Sequence, residues 1–142
     1  MLVLDSDLVS IVQQGPMGER AELLKWLDDS ADQHMAVTVV TFEEHVRGWM
    51  GILAKAKTPR KQVIPYARLH SLLEDYQHLP VLDFTDAAAD QFVDLRRQHR
   101  RHGASDLKIA AIAITVGARL LSRNIRDFHD IEGLDVMNPL AP

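Results

Sequence analysis

An α/β domain built on a central, mostly parallel sheet of four to five short strands, flanked by helices, is the fold class this 142-residue chain predicts. Two observations predict it. The short apolar runs are continuous rather than alternating, as in strands covered on both faces. Between them lie longer segments whose apolar residues recur with helical spacing, and strands that alternate with helices give a mostly parallel sheet. No repeat, low-complexity tract or long linker divides the chain, so residues 1–142 are expected to form a single domain with one well-formed core.

The elements follow in order. Leu2–Leu4 is the first strand, and Asp5-Ser6-Asp7 follows at once. Residues 19–27 place Ala21, Leu23, Leu24 and Leu27 along one helical stripe. Residues 36–40 are the second strand, with a helix over 41–53 behind it. A further helix spans 60–76, with Pro65 near its start or marking a break. Val81–Leu82 is the third strand, and residues 87–97 turn Ala88, Phe92, Val93 and Leu95 toward a core. Residues 106–116 (DLKIAAIAITV) are apolar nearly all round, as a helix in the middle of a domain should be, and Gly117 is placed to end it. Residues 120–121 supply the fourth strand.

Composition narrows the function classes. There are no cysteines, which excludes disulfides and thiolate metal sites and suits a reducing cytosol. No apolar run approaches the roughly 20 residues needed to cross a bilayer, and no basic-then-apolar leader opens the chain. The expectation is a cytoplasmic protein with no membrane partner. The net charge of −4 argues against indiscriminate nucleic-acid coating, yet it hides two basic clusters. Lys55, Lys57, Arg60 and Lys61 form one; Arg96, Arg97, Arg100 and Arg101 form the other. They are either solvated faces or a phosphate-tracking surface.

The acids carry the chemistry. In parallel α/β sheets functional residues gather outside the carboxyl ends of strands, and Asp5 sits at such an end. Asp5 and Asp7 also suit a helix N-cap. Glu44, in Thr41-Phe42-Glu43-Glu44, fits a capping box with Thr41 as the cap. Asp106 opens the buried helix, where the helix dipole favours an acid. Asp127 lies six residues beyond the last strand as a loop acid, and Asn124 between them could orient a water or a neighbouring carboxylate. Each acid alone has an ordinary structural explanation. Their recurrence does not, because carboxylates that converge without a cation raise one another's pKa and destabilise the fold. Around Mg²⁺ or Mn²⁺ they become hard oxygen ligands.

The segments LVLDSDLVS, VTVVTFEEHVRG and GASDLKIAAIAITVGARLLSRNIRDF, in this order, resemble PIN-domain ribonucleases, in particular the VapC-type toxins of bacterial toxin–antitoxin pairs. The resemblance spans residues 2–128, and its last segment is the most specific. It implies a PIN-like domain in which Asp5, Glu44, Asp106 and Asp127 are catalytic and bind one or two divalent cations, Mg²⁺ or Mn²⁺. Ser6, Asp7 and Asn124 are supporting polar groups on this reading. It implies a metal-activated water that cleaves RNA, a cognate antitoxin as partner, and a homodimer. The two basic clusters then become candidate RNA contacts. Two positions depart from the family pattern. Asp7 replaces a usual Asn and adds a charge, and His45, replacing an aliphatic residue, is expected to be a partly exposed helix residue.

Two other readings compete. Apolar-apolar-Asp-Ser-Asp also resembles the opening motif of haloacid-dehalogenase-like phosphatases, with Asp5 as nucleophile and Asp7 as acid/base. That reading leaves Glu44 and Asp106 without a role, and Asp127-Phe-His-Asp130 is a poor version of its late acidic pair. A catalytically silent PIN-like module that binds RNA or protein is the other; four intact acids argue against it.

Overall fold

The computed structural model describes residues 1–141. Five short strands, β1 (Leu2–Leu4), β2 (Met35–Thr38), β3 (Val81–Leu82), β4 (Arg119–Leu121) and β5 (Asp135–Met137), form one sheet in the order β3-β2-β1-β4-β5. Every neighbouring pair is parallel. Helices α1 (Ser6–Gln14) and α2 (Met17–Asp29) connect β1 to β2. α3 (Val39–Lys55) and α4 (Val63–Gln77), with a 3₁₀ turn at Pro59–Gln62 between them, connect β2 to β3. α5 (Asp86–Gln98) and α6 (Ala104–Val116) lead to β4, and the short α7 (Ile125–Phe128) leads toward β5. No helix among the described residues is long and apolar enough to cross a membrane.

The continuous apolar strands are indeed covered on both faces. Val3 and Leu120 pack in one core with α6, and with Ala88 and Leu95 of α5. Leu2, Leu4 and Leu121 turn the other way and pack with Leu8, Val9 and Ile11 of α1 and Leu23 and Leu27 of α2. The predicted central helix is the most enclosed one. Leu107 and every residue from Ile109 to Ala113 are buried. Gly117 ends it at φ +66°, in the left-handed region where a Cβ is disfavoured. Its N–H donates to the Ile114 carbonyl (3.1 Å), and the Ala118 N–H donates to the Ala113 carbonyl (2.9 Å). Pro65 sits in the first turn of α4, where a missing N–H breaks no helical hydrogen bond.

The helix expected over 60–76 is α-helical only from Val63, after the 3₁₀ turn, and two other places differ from the expectation. The second strand ends at Thr38 rather than at residue 40, and Val39 and Val40 are already helical. Their β-branched side chains read as strand, but the fully buried Thr38 caps α3: its Oγ1 accepts the Thr41 N–H at 3.1 Å. Thr41 is therefore not the cap, and Glu44 lies too far into the helix to close a capping box. The Asp127 segment is a short helix, not a loop, and β5 opens on Asp135, so it offers no continuous apolar run.

Replacing Thr38 by Val keeps the volume of this buried side chain and removes the cap acceptor. The expected loss is about 1–2 kcal/mol of unfolding free energy, measured by urea titration, with an unchanged m-value.

Candidate active site

The sheet order places a topological switch point between β1 and β4, because the chain leaves β1 toward β2 and β3 and later returns to the opposite side. There the Asp5 N–H donates to the Leu121 carbonyl at 3.0 Å. The side chains meet one step further on. Asp5 caps α1, with Oδ1 accepting the Leu8 N–H at 2.9 Å, and Oδ2 accepts the Ser122 hydroxyl at 2.5 Å. Cap and cavity wall are thus not alternatives for Asp5, since one carboxylate is both.

A cavity of about 400 Å³ opens at this crevice, lined by Asp5, Ser6, Asp7, Glu44, Asp106, Arg123, Asn124 and Phe128. Three of the four expected acids, supplied by the end of β1, by α3 and by the head of α6, share it. Asp127 lies beside it, in an adjoining cavity of about 300 Å³ lined also by Arg101, His102, Gly103, Asp106 and Arg126. Asp106 borders both. A larger cavity, of about 570 Å³, lies at the opposite end of the strands around Met1, Asp32 and Arg119 and contains none of these acids.

The electrostatics match a shared site. Burial pushes the Asp5 carboxyl above its ordinary value of 3.8, against the hydrogen bonds from Ser122 and Leu8, while Asp7 adds to the rise and Arg123 opposes it. Asp106 is also raised, first by desolvation and then by the charges of Asp127, Glu44 and Asp5, with His102 opposing. Asp106 thus feels the other three acids at once. Its carboxylate accepts no side-chain hydrogen bond among the described residues, which leaves its oxygens available to a ligand.

Two of the polar groups expected to support the acids are hydrogen-bonded to them. The Ser6 hydroxyl donates to Glu44 Oε1 at 2.5 Å. The Asn124 side-chain amide donates to Asp127. Asp7 is different. The Arg123 guanidinium binds it at 2.8 Å and reaches Glu19 at 3.2 Å, so the extra negative charge foreseen at this position is offset by a cation the sequence reading did not single out. His45 is half-buried, and both of its ring nitrogens are engaged. Nδ1 meets the Tyr76 hydroxyl at 2.9 Å, and Nε2 meets the Ser6 carbonyl at 3.1 Å. It ties α4 to the start of α1 rather than facing the acids.

Ser122 is the residue that sequence reasoning missed. Fully buried, its hydroxyl donates to Asp5 and accepts the Asn124 N–H at 2.9 Å. A serine straight after a strand carries little signal by itself. Only the β1–β4 pairing reveals its partner.

The basic clusters divide. Lys55, Lys57, Arg60 and Lys61 are all exposed and form no ion pair among the described residues. Arg97, Arg100 and Arg101 are exposed too, and Arg101 reaches the Asp106–Asp127 cavity. Arg96 departs from the expectation of a free phosphate contact. It is half-buried, and its Nη1 donates to the His102 carbonyl at 2.8 Å, with the His99 and Arg100 carbonyls at 3.4 Å. Arg126, outside both clusters, lines the same cavity as Arg101.

All donors in the acid cavity are oxygens, the set hard divalent cations take, and the raised carboxyls of Asp5 and Asp106 are those of a site whose charge a cation would balance. The residues present fit such an ion.

Comparison with known proteins agrees with this architecture. A family model described as the PIN domain matches residues 6–134, taking in Glu44, Asp106 and Asp127 and beginning one residue after Asp5. The chain is 24% identical to Ribonuclease VapC1 of Rickettsia felis, over 96% of this chain and 94% of that protein. Among solved structures it is similar to VapBC-1 from nontypeable Haemophilus influenzae, with a TM-score of 0.76 and 14% identity over 99% of this chain and 98% of that one. FitAcB from Neisseria gonorrhoeae gives a TM-score of 0.71 and 21% identity over the whole of both chains. VapBC2 from Rickettsia felis, bound to a promoter DNA fragment, gives 0.69 and 22% over 96% and 97%. With a family model matched over most of its length, the chain belongs to the PIN domain family.

Proposed function

We propose that the chain is a divalent-metal-dependent endoribonuclease, the toxin of a VapBC-type toxin–antitoxin pair, acting in the cytoplasm as a single catalytic domain over residues 1–142. The observation that carries this reading is the convergence of Asp5, Glu44 and Asp106 from three elements on one cavity at the carboxyl ends of the strands, with Asp127 beside them. The likeness to a protein named Ribonuclease VapC1 supports the choice of RNA, and the likeness to VapBC structures supports an antitoxin partner.

In this reading Asp5, Glu44, Asp106 and Asp127 hold Mg²⁺ or Mn²⁺. When bound, the ion lowers the pKa of the attacking water and neutralises charge on the attacking and leaving oxygens of an in-line displacement. The protein's own groups fix the geometry. Leu8 and Ser122 hold the two oxygens of Asp5, Ser6 holds Glu44, and Asn124 turns Asp127. Each hydrogen bond occupies one lone pair of its carboxylate oxygen and leaves another for a ligand. Phe128, buried at the cavity wall, excludes water from one side. Arg101, Arg126 and the exposed Lys55, Lys57, Arg60, Lys61, Arg97 and Arg100 supply the positive charge a polyanion needs, and binding through them is salt-dependent.

Protein partners have a surface available. Met50 and Ile52 of α3, with Val63, Ile64, Tyr66 and Leu73 of α4, are exposed apolar side chains, which supports an antitoxin or a second copy of the chain covering these helices. The phosphatase reading loses ground. Asp130, which it needs near Asp5, is paired with His102 and lines neither acid cavity.

Asp106→Asn is expected to lower Mg²⁺-dependent RNA cleavage on the order of 100-fold or more while the fold is retained. End sequencing of wild-type products should show 5′-phosphates and 3′-hydroxyls. Equal cleavage by both proteins would defeat the nuclease reading.

The same variant has a stability signature in metal-free buffer. The folded Asp106 carboxyl titrates above 3.8, so its ionisation disfavours folding. That penalty is absent below 3.8 and complete once the pH exceeds the folded value. Asp106→Asn should therefore melt higher than wild type at pH 7, and the gap should close as the pH falls toward 3.8. Added Mg²⁺ should raise the wild-type Tm and move the variant much less.

A further inference from the structure

A second set of potential ligands lies at the edge of the smaller acid cavity, which only His102 of the set lines. His99 caps the C-terminus of α5, His102 follows on the same connection, and Asp130 comes just after α7. His102 Nε2 is 3.1 Å from Asp130 Oδ1, and His99 Nδ1 is 3.8 Å from Asp130 Oδ2. One ligand atom from each of the three residues lies within 4.8 Å of the other two. The two imidazoles meet edge to face, with centroids 4.8 Å apart.

His99 is the unusual member. Its side chain is only 10% exposed, and Nε2 is buried with no hydrogen-bond partner. Nδ1 makes no hydrogen bond among the described residues either, because 3.8 Å to Asp130 is too long for one. A buried imidazole with both nitrogens unpaired is costly, whereas a cation would occupy a ring lone pair. The loop is also held in advance. Arg96 donates to the His102 carbonyl and lies over the Phe92 ring at 5.6 Å, so the two histidines stand on a fixed backbone.

We infer that His99, His102 and Asp130 form a binding site for a zinc-class divalent cation, distinct in its ligands from the four acids. Two imidazoles and a carboxylate are a borderline-soft donor set that Zn²⁺ takes, unlike the all-oxygen set around Asp106. Tetrahedral Zn²⁺ with bonds of roughly 2.0–2.2 Å needs its ligands about 3.3–3.5 Å apart. His102 Nε2 stands 3.1 Å from one Asp130 oxygen and His99 Nδ1 3.8 Å from the other. One ligand atom from each residue lies within 4.8 Å of the rest, so rotation of the half-exposed Asp130 side chain must bring a single oxygen between the two rings. Three protein ligands leave a fourth position to water. The ion would join the connection four residues before Asp106 to the segment three residues after Asp127, and so clip together the two elements that carry those acids. This inference stands apart from the nuclease reading.

The test uses the full chain stripped with EDTA and then titrated with Zn²⁺ against a chromophoric chelator in excess Mg²⁺, with Co²⁺ as a spectroscopic stand-in. The expected result is one equivalent of bound Zn²⁺ and an intense tetrahedral Co²⁺ absorption, both retained in Asp106→Asn. His102→Ala should weaken Zn²⁺ on the order of 100-fold, and Asp130→Asn, at an exposed position that leaves folding intact, should weaken it about 10-fold or more. No stoichiometric Zn²⁺, displacement by Mg²⁺, loss of binding in Asp106→Asn, or equal binding by wild type and Asp130→Asn would each overturn the site.

Discussion

The parallel pairing of β1 with β4 is the constraint on which the rest of this molecule depends. It brings Leu4 opposite Leu121, so the next residues of each strand, Asp5 and Ser122, emerge side by side at the switch point. A hydroxyl buried there needs an acceptor and a carboxylate buried there needs a donor, and each meets the need of the other. The two residues are separated by most of the chain. Their contact fixes the floor of the cavity, and two of the other acids are tied to it: Glu44 through Ser6, and Asp127 through Asn124, whose backbone N–H binds Ser122.

Packing serves that placement at a cost. α6 is threaded through the middle of the domain, buried on almost all sides, and its first turn projects Asp106 into the cavity. Its enclosure holds Asp106 partly out of water and beside Asp5, Glu44 and Asp127, and desolvation first, then their repulsion, raises its pKa. A chain optimised for stability alone would not assemble such a cluster. That is the kind of local conflict found where a fold is shaped by something other than stability.

This division explains what the sequence could and could not disclose. Continuous apolar strands, the all-round apolar α6 and Gly117 beyond it are local signals, and each appears in the fold as read. The acids were legible because they recur after strands. The missing parts are non-local. Ser122 matters only through β4 lying beside β1, and Arg123 only through reaching Asp7 and Glu19 on the first two helices. The error at Thr38 arose where two local signals compete: Val39 and Val40 favour extended backbone, yet a buried threonine hydroxyl with a free N–H three residues on starts a helix. Arg96 misled for a related reason, since a run of arginines reads as surface charge until the loop it supports is seen.

The distribution of cations around the acids has a consequence for how a polyanion can approach. Arg123 is held between Asp7 and Glu19, so on the α1–α2 side this cation is already outnumbered by its acidic partners. Arg96 is turned inward to its loop. Of the arginines at the two cavities, Arg101 and Arg126 remain without an acidic partner among the described residues, and both stand on the Asp127 side. Phosphates carrying negative charge toward a cluster of carboxylates meet repulsion from every direction except one flanked by such groups. On the proposed reading an RNA backbone therefore enters over α7 and the connection between α5 and α6, and reaches Asp106 before Asp5. The same connection carries His99 and His102, so any ligand that stiffens it acts on the wall along which the substrate must pass.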